Sequence, residues 1–376
     1  MIDPITLAQE LIRCPSVTPK DEGVMAALEK HLKALGFTCH RMTFSDAPGE
    51  PTENLYARLG TAQPNFCFAG HVDVVPPGDK SAWSVDPFSA TVKDGYLIGR
   101  GTEDMKGAIA AFVSAVSEFI AKPFKGSISL LITGDEEGPA VNGTRKMLPW
   151  LKTKGEVIDA CIVGEPTNPK TLGEMAKIGR RGSAYGILTV KGKQGHAAYP
   201  ELADNPVTHI IAMLHNLKHS KLDEGSDFFP PSNLEITSVD VGNTTGNVIP
   251  AQAEARFNIR FNDRHNAASI EKWVRTQLDA AGGKYELRWR VSGEAFVTPP
   301  GRLSTLVQEA AKDVTGITPV LSTTGGTSDA RFVKDICPVV EFGTTGVTAH
   351  AIDERVKVDD IVNLKTIYRK ILEKFF

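Results

Sequence analysis

Residues 65–73, NFCFAGHVD, and residues 127–137, SISLLITGDEE, share one pattern. In each, a short apolar run reaches a glycine and is followed at once by side chains that bind protons or metal ions. Between them, residues 107–121, GAIAAFVSAVSEFIA, predict a long buried helix because they carry almost no charge. Residues 159–164, DACIVG, repeat the apolar run. Strands that alternate with a helix in this way indicate an α/β fold with a largely parallel sheet.

The pattern changes over residues 181–291, where the order strand, helix, strand, strand, helix, strand is typical of a ferredoxin-like α+β unit. After residue 292 the alternation of helix, strand and helix resumes. A chain of 376 residues is also longer than one hydrophobic core usually serves. We therefore predict a discontinuous catalytic domain, residues 1–180 and 292–376, with helices flanking its sheet and a smaller domain inserted at residues 181–291.

Composition excludes several classes of protein. The net charge is -3 and no basic block is present, which argues against nucleic acid as a partner. No apolar run approaches the ~20 residues of a membrane span. The five cysteines are irregularly spaced and form no CxxC, which favours a reducing compartment over a disulfide framework. The first residues do not resemble a signal peptide. We expect a cytoplasmic protein.

Two histidines and five carboxylates stand in glycine-flanked loops that follow strand-like runs or precede the buried helix. They are His71, Asp73, Asp104, Glu136, Glu137, Glu165 and His350. Ligands bind open α/β sheets at the carboxyl ends of the strands. We therefore expect these side chains to meet in one crevice.

Each motif has a metal-binding and a plain structural interpretation. Asp73 lies two residues after His71 and can hold its ring for a metal ion, or the pair can be an unrelated part of a surface loop. Asp104 can cap the helix that follows or can bridge two metal ions. Glu136 and Glu137 diverge, so one can bind a metal while the other serves as a general base, unless both belong to a solvated turn.

The ligand types select among metals and reactions. Imidazole nitrogens with carboxylate oxygens and no thiolate suit Zn²⁺, with Co²⁺ or Mn²⁺ as possible substitutes. Serine-hydrolase chemistry has no GxSxG motif to support it, and Ser328 lies in a glycine-rich segment that suits backbone contacts to an anion. No phosphate-binding glycine motif supports a nucleotide fold.

Taken together, the motifs resemble the di-zinc aminoacylase and carboxypeptidase family along essentially the whole chain. The matching segments are GHVDVVPPGD (70–79), GRGTEDMKG (99–107), LLITGDEEG (130–138), VGEPT (163–167), GRRGS (179–183), VKGKQGHAAYPELADNP (190–206), GNVIP (246–250), GGTSDARF (325–332) and the loop that carries His350.

The resemblance implies a role for each candidate. His71, Asp104 and Glu165 would hold one zinc ion of a subunit. Asp104, Glu137 and His350 would hold the second, so Asp104 would bridge the two. Glu136 would act as general base and then as general acid, and Asp73 would orient His71. A cis peptide bond would follow Asp104.

The resemblance further implies a homodimer built through the inserted domain, which would also serve as a lid. His196 would reach the active site of the partner subunit and stabilise the oxyanion. Residues that match substrate-binding positions are Arg180, Tyr199, Asn247, Arg260, Gly326, Thr327 and Arg331. Arginine pairs bidentately with carboxylates, which suits a small dicarboxylate amide.

The expected reaction is hydrolysis of N-succinyl-LL-2,6-diaminoheptanedioate to succinate and LL-2,6-diaminoheptanedioate, a step in lysine and diaminopimelate biosynthesis. Three alternatives stay open. The chain could deacetylate acetylornithine or cleave dipeptides, both with the same metal chemistry. It could also bind a ligand through metal ions without catalysis, although a base beside a ligand glutamate argues against this.

Overall fold

The computed structural model describes residues 1–47 and 49–376. Contacts between Cα atoms divide the chain into two compact units. The large unit takes Met1–Ile178, Thr298–Ser322 and Ser328–Phe376, and the small unit takes Gly179–Val297 and Thr323–Thr327. None of the helices in the described chain combines the length and apolar character that a membrane crossing requires.

Helices and strands alternate along most of the described chain. The α-helices are α1 (Pro4–Ile12), α2 (Val24–Ala34), α3 (Gly107–Phe119), α4 (Thr144–Thr153), α5 (Pro206–His219), α6 (Ala267–Ala281), α7 (Arg302–Thr315), α8 (Ala330–Val333) and α9 (Val358–Phe375). The strands of the first half are β1 (Thr38–Phe44), β2 (Thr52–Leu59), β3 (Asn65–His71), β4 (Thr91–Lys93), β5 (Tyr96–Ile98), β6 (Ser127–Thr133), β7 (Ala160–Val163), β8 (Met175–Lys177) and β9 (Gly179–Arg180). The later strands are β10 (Gly182–Lys191), β11 (Gly195–His196), β12 (Asn233–Asp240), β13 (Val248–Ile249), β14 (Gln252–Phe261), β15 (Lys284–Gly293), β16 (Phe296–Val297), β17 (Val320–Ser322), β18 (Val339–Glu341) and β19 (Arg355–Lys357).

The large unit is built on an eight-stranded sheet in the order β1-β2-β6-β3-β7-β18-β8-β17. Its central strands β6, β3, β7 and β18 are parallel neighbours, with Cys67 opposite Cys161 in the register of β3 and β7. Every residue of β3 and β6 is buried, as expected for a parallel sheet covered on both faces. The predicted α/β class with a large, mostly parallel sheet is confirmed.

Helix α3 is the predicted buried helix, and it packs against α1 and α9. Phe112 of α3 stacks on Phe68 of β3 with ring centroids 4.4 Å apart, and Tyr368 of α9 meets both rings edge-on. The Tyr368 hydroxyl donates to the Phe342 carbonyl at 2.6 Å. Helix, sheet and the segment after β18 are thereby fixed to one another, so the loop before α3 has a rigid support.

The small unit contains a four-stranded antiparallel sheet in the order β12-β14-β10-β15. Buried and more exposed residues alternate along β14 and β10, and α5 packs on β10, β12, β14 and α6. The core joins residues of both helices with residues of the sheet, among them Ile210, Val274 and Phe257. This order of strands and helices is the ferredoxin-like arrangement.

Candidate active site

The carboxyl ends of four parallel strands supply most of the candidate side chains. His71 is the last residue of β3, and Glu136 and Glu137 follow the end of β6. Glu165 follows β7 after Gly164. His350 lies further along the segment that leaves β18. Because these strands are parallel neighbours, their carboxyl ends share one edge of the sheet, as the sequence led us to expect.

Two groups of side chains there have the geometry of metal ligands. His71, Asp104 and Glu165 form the first group, and Asp104, Glu137 and His350 form the second. Within each group, one nitrogen or oxygen atom of every residue lies within 4.8 Å of the others. Asp104 belongs to both groups.

The two oxygens of Asp104 face in different directions. Its Oδ1 lies 3.0 Å from Nε2 of His71, and its Oδ2 lies 3.2 Å from Nε2 of His350. Burial alone would raise the pKa of the Asp104 carboxyl, but its hydrogen bonds with His350 and His71 hold that pKa well below its usual range. The peptide bond between Asp104 and Met105 is cis, which confirms the cis bond that the resemblance implied.

Asp73 supports the site through both its backbone carbonyl and its carboxylate. The Nδ1 atom of His71 lies 2.9 Å from the backbone carbonyl of Asp73 but 3.7 Å from its carboxylate. The carboxylate instead accepts hydrogen bonds from the backbone amides of Glu136 at 3.2 Å and Glu137 at 3.0 Å. The carbonyl therefore orients the imidazole, while the carboxylate fixes the turn that presents both glutamates.

Glu136 and Glu137 point to different neighbours, as adjacent side chains do. Oε1 of Glu137 lies 2.8 Å from Nε2 of His350. Burial, together with the charges of Asp329 and Glu137, raises the pKa of Glu136 to about 8, although His71 and Arg331 oppose this shift. Glu136 belongs to neither ligand group. With its pKa raised to about 8, its carboxyl group tends to hold a proton near neutral pH in the metal-free protein.

Two of the proposed ligands, Glu165 and His71, have raised pKa values. Burial and the charges of Asp104 and Glu136 raise the pKa of Glu165 well above its usual value. Burial would lower the pKa of His71, but its hydrogen bond to Asp104 and the charge of Glu165 raise it well above the usual value. Carboxylates and imidazoles that hold protons this tightly fit a centre for divalent cations, since a cation replaces those protons.

The ligand types also fit such a centre. Each group offers one imidazole nitrogen and two carboxylate oxygens, and none of the five cysteines of the described chain belongs to either group. Nitrogen and oxygen donors without thiolate suit Zn²⁺, Co²⁺ or Mn²⁺.

The other predicted residues are divided between the units. Arg331 lies in the large unit, where its charge acts on Glu136. The remaining residues are in the small unit: Arg180, His196, Tyr199, Asn247, Arg260, Gly326 and Thr327. Within that unit several of them are neighbours, such as His196 and Tyr199, whose ring centroids lie 5.6 Å apart. The Ala197 amide next to His196 donates to the Asn247 carbonyl at 2.9 Å, and Nη1 of Arg180 donates to the Gly326 carbonyl at 3.1 Å.

Several buried carboxylates around the cluster were not among the predicted residues. Asp135 accepts hydrogen bonds from three backbone amides of the loop that follows it, and Asp329 accepts one from the Thr144 hydroxyl at 2.6 Å. Glu103 and Glu354 bond to the loops that carry Asp104 and His350. Their position next to predicted ligands, in TEDM and HAIDE, was the only signal in the sequence.

Comparison with known proteins agrees with this geometry. The sequence pattern of Peptidase family M20/M25/M40 matches residues 67–374. A succinyl-diaminopimelate desuccinylase of Rhodospirillum centenum is 58% identical over 376 residues, which cover 100% of this chain and 97% of the relative. Another, of Parvibaculum lavamentivorans, is 59% identical over 379 residues, covering 100% and 96%.

Solved structures share the fold at low identity. An M20 family metallo-carboxypeptidase of Sulfolobus solfataricus superposes with a TM-score of 0.80 at 21% identity, covering 99% of both chains. A dinuclear metal-binding peptidase of the same family from Bacillus subtilis gives a TM-score of 0.68 at 17% identity, covering 98% of this chain and 96% of the other. The chain belongs to Peptidase family M20/M25/M40. It is a metal-dependent hydrolase, as the sequence predicted.

Proposed function

We propose that the protein is a two-metal amidohydrolase that cleaves N-succinyl-LL-2,6-diaminoheptanedioate to succinate and LL-2,6-diaminoheptanedioate. The relatives that are 58% and 59% identical over the whole chain carry the name of that activity. The observation that carries the chemistry is the position of Asp104, which offers one oxygen to each of two histidines. A pair of cations needs such a shared anion because the two charges repel each other.

In this proposal His71, Asp104 and Glu165 hold one divalent cation, and Asp104, Glu137 and His350 hold the other. Zn²⁺ is the proposed metal, with Co²⁺ or Mn²⁺ as substitutes. A cation pair there would polarise the scissile carbonyl and lower the pKa of the attacking water.

Glu136 is the proposed general base. It lies beside the ligand Glu137 and belongs to neither ligand group. One of its carboxylate oxygens would take a proton from the water and later give that proton to the nitrogen of the leaving amine. Asp73 positions this base through the amides of Glu136 and Glu137.

The proposal assigns specificity to cationic and polar groups. By their match to the family, Arg180, Arg260 and Arg331 would pair with the substrate carboxylates. Further proposed contacts are Tyr199, Asn247, Gly326 and Thr327. His196 would stabilise the developing oxyanion from the partner subunit of a cytoplasmic homodimer.

The domain roles belong to the same proposal. Residues 1–180 and 292–376 would form the catalytic domain, and residues 181–291 would form the dimerisation and lid domain. The division into two compact units, with Gly179–Val297 in the small one, supports this assignment.

The test is kcat/KM of the zinc-loaded protein on N-succinyl-LL-2,6-diaminoheptanedioate beside N-acetylornithine, with chelator-treated protein as control. We expect a strong preference for the succinyl compound that disappears on chelation. Preference for the acetyl compound would overturn the substrate and keep the metal chemistry. Equal activity with and without chelator would overturn the metal chemistry itself.

A further inference from the structure

Two loops that carry proposed metal ligands are tied together by carboxylates outside the ligand set. We call residues 100–106, which include Asp104, the Asp104 loop, and residues 344–355, which include His350, the His350 loop. In sequence, Asp104 and His350 are far apart. Their relative position therefore depends on contacts between the two loops.

Glu354 of the His350 loop reaches into the Asp104 loop. Its side chain is fully buried, and Oε1 accepts hydrogen bonds from the backbone amides of Gly101 at 3.0 Å, Glu103 at 2.9 Å and Asp104 at 3.2 Å. Its Oε2 pairs with Nη1 of Arg100 at 2.6 Å. One carboxylate thus accepts hydrogen bonds from three backbone amides of the Asp104 loop, and the amide of Asp104 itself is one of them.

Glu103 makes the reverse contact, from the Asp104 loop into the His350 loop. Its Oε1 accepts from the Thr345 hydroxyl at 2.8 Å. Its Oε2 accepts from the backbone amide of Thr348 at 2.6 Å and from the hydroxyl of Thr348 at 2.8 Å. The backbone carbonyl of Glu103 also accepts from the Thr344 hydroxyl at 2.8 Å. Each loop therefore inserts one carboxylate among the hydrogen-bond donors of the other.

His350 needs such support because its backbone is in the left-handed region, with φ at +64°. That conformation is costly for a residue other than glycine and persists only where the surroundings enforce it. Nη2 of Arg100 donates to the His350 carbonyl at 3.2 Å, and Nη1 of the same guanidinium is held by Glu354. The carboxyl group of Glu354 is thereby connected to the backbone of the strained histidine through one buried side chain, Arg100.

We propose that Glu103 and Glu354 are positioning residues that form a reciprocal clamp and set the second metal site, the one shared by Asp104, Glu137 and His350. They belong to neither ligand group. They fix the separation of Asp104 and His350, on which the geometry of that site depends. The inference rests on the proposed two-metal centre and does not depend on the proposed substrate.

The clamp predicts a selective loss of the second metal ion. Residues that hold metal ligands in place typically change metal affinity about 10- to 100-fold when they are replaced. In Glu354→Gln an amide group would face the Arg100 guanidinium, and in Glu103→Gln it would face the donors of Thr348. We expect each variant to bind the weaker of two Co²⁺ equivalents about 10- to 100-fold less tightly.

The experiment titrates metal-free wild-type protein and variants with Co²⁺ and follows visible absorption and heat. Turnover is then measured against metal concentration. A clamp that acts through the metal site predicts that excess Co²⁺ restores the kcat of Glu354→Gln. If Glu354 only stabilised the fold, Glu354→Gln would lower the melting temperature and leave the affinity for the second Co²⁺ equivalent unchanged.

Glu156→Gln is the matched control, because Glu156 also bonds to an arginine, Arg58, and to the Tyr56 hydroxyl at 2.9 Å. Glu156 is outside both ligand groups. We therefore expect Glu156→Gln to bind both Co²⁺ equivalents with wild-type affinity. Thr348→Val keeps the backbone amide and removes the hydroxyl, which donates to Glu103 at 2.8 Å and accepts from the Arg355 amide at 3.0 Å within the His350 loop. This variant tests the clamp if Glu354→Gln does not fold. We expect Thr348→Val to lower the affinity for the second Co²⁺ equivalent by at least about fivefold, the effect of the lost hydrogen bond to Glu103.

Wild-type affinities in a folded Glu354→Gln, or in Thr348→Val if only that variant folds, would overturn the clamp. A wild-type protein that bound only one Co²⁺ equivalent would instead overturn the proposed two-metal function. The two failures are therefore distinguishable in one set of titrations.

Discussion

At the scale of single residues, protons and cations compete for the same side-chain atoms of the site. His350 shows this most clearly, because its hydrogen bonds with Asp104 and Glu137 raise the pKa of its imidazole to about 10. The pKa of His71 is also well above its usual value. Without a metal, both rings hold a proton near neutral pH. Neither can coordinate a cation until that proton leaves.

This competition predicts how metal affinity depends on pH. Because each raised pKa means that a proton is bound in the metal-free protein, metal binding must release about one proton for each imidazole. Apparent Zn²⁺ affinity should therefore keep rising with pH through neutrality, up to about pH 10, where the His350 imidazole loses its proton. Calorimetry in two buffers with different ionisation enthalpies counts the released protons. An affinity that did not rise with pH, or metal binding that released no protons near neutral pH, would contradict these protonation states.

The sequence predicted the side chains of the two ligand groups and Asp73 beside His71, but not Glu103 and Glu354. His71, Glu137 and Glu165 could be found because they follow apolar strands at glycines. Glu354 acts on backbone amides that lie some 250 positions away, at a separation of 253 residues for Gly101. A carboxylate that bonds to amides leaves no pattern of side-chain types in the sequence, so folding alone brings it to its partners.

At the scale of elements, close contact between backbones at the ends of strands keeps the site compact. Gly343, two residues after β18, approaches the loop that follows β7. A Cβ atom at Gly343 would lie 2.2 Å from the Gly164 carbonyl oxygen and 2.5 Å from that of Glu165. Both atoms are backbone, so neither can rotate away.

Gly343→Ala should therefore push the Glu165 loop away from its neighbour. Overpacking of this kind costs about 1–3 kcal/mol, so we expect a lower midpoint of denaturant unfolding and weaker binding of the metal that Glu165 is proposed to hold. Gly301→Ala is the control, since the nearest contact of its Cβ atom would be 3.8 Å away and its backbone is extended. Equal stability and metal affinity in the two variants would show that the contact at Gly343 is unimportant.

Periodicity predicted the elements of the buried sheet better than those at its edge. β3 and β6 are buried along their whole length and rich in apolar residues, and they were found. β1, at the edge of the sheet, was not found, because most of its residues are exposed or only partly buried, so its sequence has no regular apolar alternation. β2 beside it was not found either, although most of its residues are buried. Helix α4 was also missed. It continues through Pro149, where a break would be expected from the missing amide.

At the scale of the whole molecule, the two units have different relations to the proposed metals. Every residue of the two ligand groups belongs to the large unit, whereas the small unit has its own core around its antiparallel sheet. A cation that binds only the folded state stabilises that state by mass action, about 4 kcal/mol at a thousand times its Kd. Removal of the metal should therefore destabilise mainly the loops that carry the ligands.

Hydrogen exchange measured with and without chelator tests this distribution. In metal-free protein we expect faster amide exchange in residues 100–106, 134–138 and 344–355, because these loops lose the cations that would join their ligands. Exchange in β10 and β14 of the small unit should be unchanged, and these strands serve as the internal control. Faster exchange confined to the small unit would contradict the placement of the metals.

Fold class and enzyme class could be predicted before the structure, because the strand pattern and the ligand types are local in sequence. The arrangement of residues around the ligands could not, because it depends on pairs such as Arg100 with Glu354, which only the complete fold brings together. Substrate choice follows neither from composition nor from spacing. It rests on the resemblance and on the relatives that share the whole length of the chain.

The central claim is that Glu136 moves the proton while its neighbours hold the metals. The most direct test is kcat of zinc-loaded Glu136→Gln on N-succinyl-LL-2,6-diaminoheptanedioate, with zinc content measured on the same sample. We predict two zinc ions per chain, as in the wild type, and a kcat lower by about 10²- to 10⁴-fold, the usual contribution of a general base. A variant that keeps its zinc and turns over at nearly the wild-type rate would contradict the account.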